Sequence, residues 1–99
     1  MTLYDRVIEA VIHREFDIRF VGRHDWDGQY DWEGTISISI YAPRPVSVLI
    51  HEVLHFLYPS KSEKWVLTQE ARIYSKLTPV DRKYLSGVVK RARAKWRHR

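Results

Sequence analysis

The stretch VLIHEVLHFLYP, residues 48–59, sets two histidines and a glutamate into an otherwise apolar run. Val48, Leu49, Ile50, Val53, Leu54, Phe56 and Leu57 surround them, and no proline interrupts the run. A helix that is apolar nearly all round is a buried one, so a central helix is expected from about Val46 to Tyr58. Pro45 suits its first turn, where a missing N–H costs nothing, and Pro59 ends it. Three polar side chains inside such a helix would cost several kcal/mol unless each is bonded.

A metal ion satisfies all three together. His51 and His55 are four residues apart, which on a helix puts both imidazoles on one face within reach of a single ion. Glu52 is rotated away from them and still reaches a water on that ion. This is the HExxH pattern. The chain has no cysteine, so any metal must be held by nitrogen and oxygen. Zn2+ accepts neutral imidazole and carboxylate donors, keeps one position open to water and lowers the pKa of that water to about 7. Glu52 is then the candidate general base, and the candidate acid toward the leaving amine.

Outward from this helix, the chain carries a second pattern toward its C-terminus. Ser60 or Ser62 can cap a helix over about 63–76. On it Glu63, Val66, Leu67, Glu70, Ile73, Tyr74 and Leu77 form one stripe, which turns two carboxylates inward. The segment TPVD, 78–81, starts a further helix, with Thr78 as cap, Pro79 in its first position and Asp81 near the positive end of its dipole. From Arg82 to Arg99 there are eight lysines or arginines and no acid, which accounts for most of the net charge of +5. Lys90, Arg91, Arg93, Lys95 and Arg97 are candidate nucleic-acid contacts there, a solvated helix face being the plain alternative.

Toward the N-terminus, Thr2 can cap an amphipathic helix over 3–14, and DIRFV, 17–21, alternates as a short strand. Residues 23–34 combine glycines and acids around Trp26 and Trp32, and read as a loop or irregular hairpin whose tryptophans cover the edge of the core. TISISIY, 35–41, alternates strictly and is the clearest strand. Ninety-nine residues with 44% hydrophobic content support one domain, residues 1–99, with 81–99 as a basic helix or tail. The expected class is α+β: an N-terminal helix, a short antiparallel or mixed sheet of two or three strands, the HExxH helix packed on the following helix, and the basic helix. With charges through the first apolar positions and no run long enough to span a membrane, the expected location is the cytoplasm and no membrane partner is expected.

These residues resemble the zincin metallopeptidases of gluzincin type. More narrowly, YDWEGTISISI followed by VSVLIHEVLHFLYPSKSEKWV is similar to small phage-type and SprT-like metallopeptidase domains, over about residues 29–77. The resemblance implies a small zincin-like domain and a zinc-dependent peptidase acting on a peptide or protein, with His51 and His55 as ligands and Glu52 as acid/base. It also implies a third ligand from the next helix. Glu63 matches the glutamate expected eight residues after the second histidine, and Glu70, two turns deeper, is the alternative. In zincins the strand before the active helix lines the substrate groove, so TISISIY is expected to pair with an extended peptide. Tyr74, Tyr84 and His24 are the candidates for stabilising an oxyanion.

Two other classes compete. A metal-dependent nuclease is raised by the basic tail, but the histidine-rich helix of bacterial RNA-processing proteins carries a third histidine shortly after it, and residues 56–97 have none. A nucleic-acid-binding protein with a structural or vestigial metal site is the other, and it is compatible with the peptidase reading.

Overall fold

The computed structural model describes residues 1–97, the Arg97 side chain excepted. Thr2 caps helix α1, Leu3–Ile12, through a reciprocal capping box with Asp5. Strands β1, Asp17–Val21, β2, Gly28–Tyr30, and β3, Thr35–Ser39, follow. Helices α2, Pro45–Leu57, α3, Glu63–Lys76, and α4, Pro79–Arg97, complete the described chain. It is an α+β arrangement with a three-stranded mixed sheet in the order β1-β3-β2.

β3 pairs parallel with β1 and antiparallel with β2. Its register, Ile36 beside Ile18 and Tyr30, Ile38 beside Phe20 and Gly28, sends these residues to one face. That face meets α2. Phe20, Ile36, Ile38, Leu49, Val53 and Leu54 are all fully buried between sheet and helix. Burying each such side chain is worth about 1.5–3 kcal/mol, so the sheet and α2 hold each other in place. The helix is the buried centre its composition requires.

α1 packs on α2, and α4 packs on β1 and on α2. The Tyr4 hydroxyl donates to Asp81 at 2.6 Å and so ties α1 to the start of α4. Thr78 caps that start by accepting from the Asp81 N–H. Among the described residues no helix is long and apolar enough to cross a membrane.

Three expectations are corrected. Within the expected loop or irregular hairpin, residues 28–30 form a regular strand, because Gly28 and Tyr30 pair with Ile38 and Ile36 of β3 and pack toward α2. TISISIY is the middle strand with both edges taken, so it has no free ladder to offer a peptide; the free edge beside α2 belongs to β2. Trp32 does not cover the core. It is 64% exposed, at φ +66°, while Trp26 lies half-buried under the Arg23 guanidinium.

Candidate metal centre

Ser47, His51 and His55 are successive i, i+4 positions on the face of α2 that meets α3. The turn between the helices decides what meets them. Tyr58 and Trp65 pack edge to face across it, with ring centres 5.5 Å apart, and the Ser62 hydroxyl accepts from the Trp65 N–H at 3.1 Å. This clamp starts α3 at Glu63, directly beside the end of α2. α3 then runs back along α2, bringing Glu70 level with Ser47 and His51.

Glu63 lies with one oxygen 2.7 Å from His51 Nε2 and the other 3.0 Å from His55 Nε2. Glu70 approaches from the opposite side. Its Oε1 is 2.6 Å from His51 Nδ1, and its Oε2 accepts from the Ser47 hydroxyl at 2.6 Å. The two glutamates are seven residues apart, about 10.5 Å along the helix, so they reach the two nitrogens of one ring rather than one point. His51, His55 and Glu63 form a group whose donor atoms lie within 4.8 Å of one another and could hold a metal ion. Donors about 2.0–2.1 Å from a tetrahedral ion sit roughly 3.3 Å apart, so an ion here would draw the members of the group to a common centre.

Of the two glutamates named from sequence, Glu63 is therefore the one that faces both imidazoles, and Glu70 is not in the donor group. Its contact is with the other ring nitrogen: a carboxylate that accepts from Nδ1–H favours the tautomer whose Nε2 carries a lone pair. Neither carboxylate enters the core. Leu67, on the same stripe, is 52% exposed and lies over the cleft beside Glu70, because α3 itself buries only Val66 and Ile73 firmly.

Glu52 is only 7% exposed, with Oε2 3.9 Å from His51 Nε2, beyond hydrogen-bond length. Burial pushes its carboxyl above the ordinary range, partly countered by His51 and His55. That is the direction that makes a carboxylate a better base. For His51 burial disfavours the charged ring, but the Glu70 hydrogen bond and the charges of Glu52, Glu63 and Glu70 outweigh it and raise its pKa. Glu70 itself is lowered: burial works against its charge, and the hydrogen bonds from His51 and Ser47 overcome it.

β2 closes the cleft from above. A Cβ at Gly28 would collide with Val48 Cγ1 and come within 3.2 Å of Glu52 Cγ, so only glycine lets the strand lie this close to α2. Tyr30 packs edge to face on Phe56, ring centres 5.5 Å apart. Gly28, Tyr30 and Trp32 were not singled out as site residues from sequence. A glycine amid acids and aromatics is no signature of a site by itself, and it becomes meaningful only once β2 is paired.

His24, Tyr74 and Tyr84 do not line this cleft. His24 stacks on Tyr41 with ring centres 3.8 Å apart, and Tyr74 lies under the Arg82 guanidinium. Of the five candidate nucleic-acid contacts, Lys90, Arg91 and Lys95 are exposed, Arg93 is half-buried, and the Arg97 side chain lies outside the described residues. Arg91 and Lys95 share with Arg14 a groove that none of His51, Glu52, His55 and Glu63 lines.

Compared with protein-family models, with curated proteins and with solved structures, the chain matches none.

Proposed function

We propose that this protein is a zinc-dependent metallopeptidase of minimal zincin type. The observation that carries the reading is the convergence of His51, His55 and Glu63 beside the buried Glu52, beneath the free edge of β2. Two imidazole nitrogens and one carboxylate oxygen, with no thiolate, make a donor set that suits Zn2+ and leaves a position for water or substrate. When bound there, zinc supplies a Lewis acid that polarises the scissile carbonyl and makes water a nucleophile near neutral pH.

The remaining roles fall to the chain. Glu70 holds the His51 ring through Nδ1, and Ser47 holds Glu70. Glu52 takes a proton from the attacking water and passes it to the departing amine; its raised pKa suits both transfers. The outer N–H and C=O groups of β2 are free to pair with an extended peptide, the role that the resemblance to zincins implies for TISISIY.

A second reading, contact with nucleic acid, is favoured by one observation: Arg14, Arg91 and Lys95 line a common groove of about 260 Å³ in which Asp17 is the only acid. Salt-dependent DNA or RNA binding lost in Arg91→Gln/Lys95→Gln supports it, and unchanged binding removes it. The two readings are compatible.

The test of the peptidase reading is metal content by mass spectrometry on untagged protein, together with cleavage of unfolded casein. The expected result is near one zinc per chain and activity abolished by a chelator. In Glu52→Gln the expected result is retained zinc without cleavage. A chain that takes up no zinc on reconstitution, or that cleaves equally well as Glu52→Gln, overturns the reading.

A further inference from the structure

Two cavities of about 300 Å³ each open on either side of Glu52, sharing Gly28, His51 and Glu52 as their common wall. Beyond that wall they differ in kind. One runs to Asp27, Val48, Leu67 and Glu70. The other runs to Tyr30 and Trp32 beside Glu63.

In the first, Val48 and the exposed Leu67 give apolar sides, and Asp27 and Glu70 lie outside the His51–His55–Glu63 donor group. Asp27 makes no ion pair among the described residues. Both Glu70 oxygens are taken by His51 and Ser47, so apolar sides with the Asp27 carboxylate left open match a side chain that carries a positive head on an aliphatic stem. In the second, Trp32 stands 64% exposed with its ring centre 5.1 Å from that of Tyr30. Its backbone is in the left-handed region, costly for a bulky residue. Asp31 holds the turn by accepting from the N–H groups of Glu33, at 2.8 Å, and Thr35, at 3.1 Å. A strained turn that keeps a large aromatic ring out of the core and at the mouth of the cleft makes a rigid apolar shelf.

We propose that these cavities are unlike subsites for the residues flanking the cleaved bond. The Asp27 side takes lysine or arginine, and the Trp32 side takes an aromatic or large aliphatic residue. The inference rests on the peptidase reading and names its substrate class: unfolded or extended peptide segments in which a basic and a large apolar residue are adjacent.

The experiment is isothermal titration of the zinc-loaded Glu52→Gln protein with eight-residue peptides centred on Lys-Phe, Phe-Lys, Glu-Phe, Phe-Glu and Lys-Asp, with cleavage by the wild type in parallel. Asp27 and Trp32 are both exposed, so Asp27→Lys and Trp32→Asn keep the fold, and asparagine accepts the positive φ. The expected result is that one order of lysine and phenylalanine binds best. Exchanging its lysine for glutamate weakens Kd about tenfold, a difference of about 1.4 kcal/mol. Asp27→Lys reverses that preference, whereas Trp32→Asn weakens only the phenylalanine-containing peptides.

Equal Kd values across the set, absence of binding, or a preference indifferent to Asp27→Lys overturns the subsites. If the wild type still cleaves casein in any of these cases, the peptidase reading survives without them. If the best peptide binds with the expected preference and zinc-loaded wild type leaves it intact, the peptidase reading falls, and the subsites with it.

Discussion

The α2–α3 cleft and the C-terminal half of α4 both gather charged side chains, and they use them in opposite ways. In the cleft, His51 is held between Glu63 and Glu70 at 2.7 and 2.6 Å, half-buried, with a buried carboxylate next to it. On α4 the cations Lys90, Arg91 and Lys95 are exposed and make no ion pair among the described residues. Charge confined in low dielectric sets geometry and protonation; charge spread into water mostly sets solubility and long-range attraction. Removing one cleft residue should therefore change the molecule far more than removing two from α4.

The largest expected effect is in His51→Ala, which takes away one donor and the residue that both glutamates contact. Bound zinc should fall below about a hundredth of the wild-type affinity in competition with a fluorescent chelator; ordinary zinc retention would break the comparison. Glu70→Gln comes next, because the amide no longer supports the Nδ1–H tautomer as a carboxylate does. It should weaken zinc about 10- to 100-fold by the same assay, while Glu70 as a mere helix-surface residue would move nothing.

Gly28→Ala brings a methyl group onto Val48 and Glu52. The overpacking should cost about 1–3 kcal/mol in urea unfolding and push β2 away from the cleft. A neutral result would mean that β2 does not lie so close.

Glu52→Gln sharpens the contrast through pH. Burial raises the Glu52 carboxyl, so its protonated form is favoured in the folded state and its ionised form is not. Stability is therefore lost as pH rises from the ordinary carboxylate value, about 4.3, through the raised one. In the presence of a chelator the variant should be more stable than wild type at about pH 8, on the order of 1 kcal/mol, with the gain shrinking toward about pH 4. A gain that grows on acidification has the wrong sign for this account. The smallest effect belongs to α4. Arg91→Gln/Lys95→Gln should change folding stability by less than about 0.5 kcal/mol and leave zinc content unaltered.

Features encoded within a few residues are legible before any folding is considered. The apolar run around His51 and His55 dictates a buried helix, and the i, i+4 spacing puts both imidazoles on one face whatever surrounds them. Thr2, Ser62 and Thr78 mark three helix starts through hydrogen bonds that span only three residues. Strict alternation makes 35–39 a strand. Whatever depends on a distance between elements is set by how the elements pack. Glu63 and Glu70 share one helical stripe, and only the turn pinned by Tyr58 and Trp65 sends the first to Nε2 of His51 and the second to the opposite nitrogen. Whether a strand is central or at an edge is a property of its neighbours, so TISIS could not announce that β2, three residues long with little periodicity, would hold the free edge. Gly28 and Trp32 carry no local signature of a site, because a close approach and an exposed ring acquire meaning only from the helix beneath them.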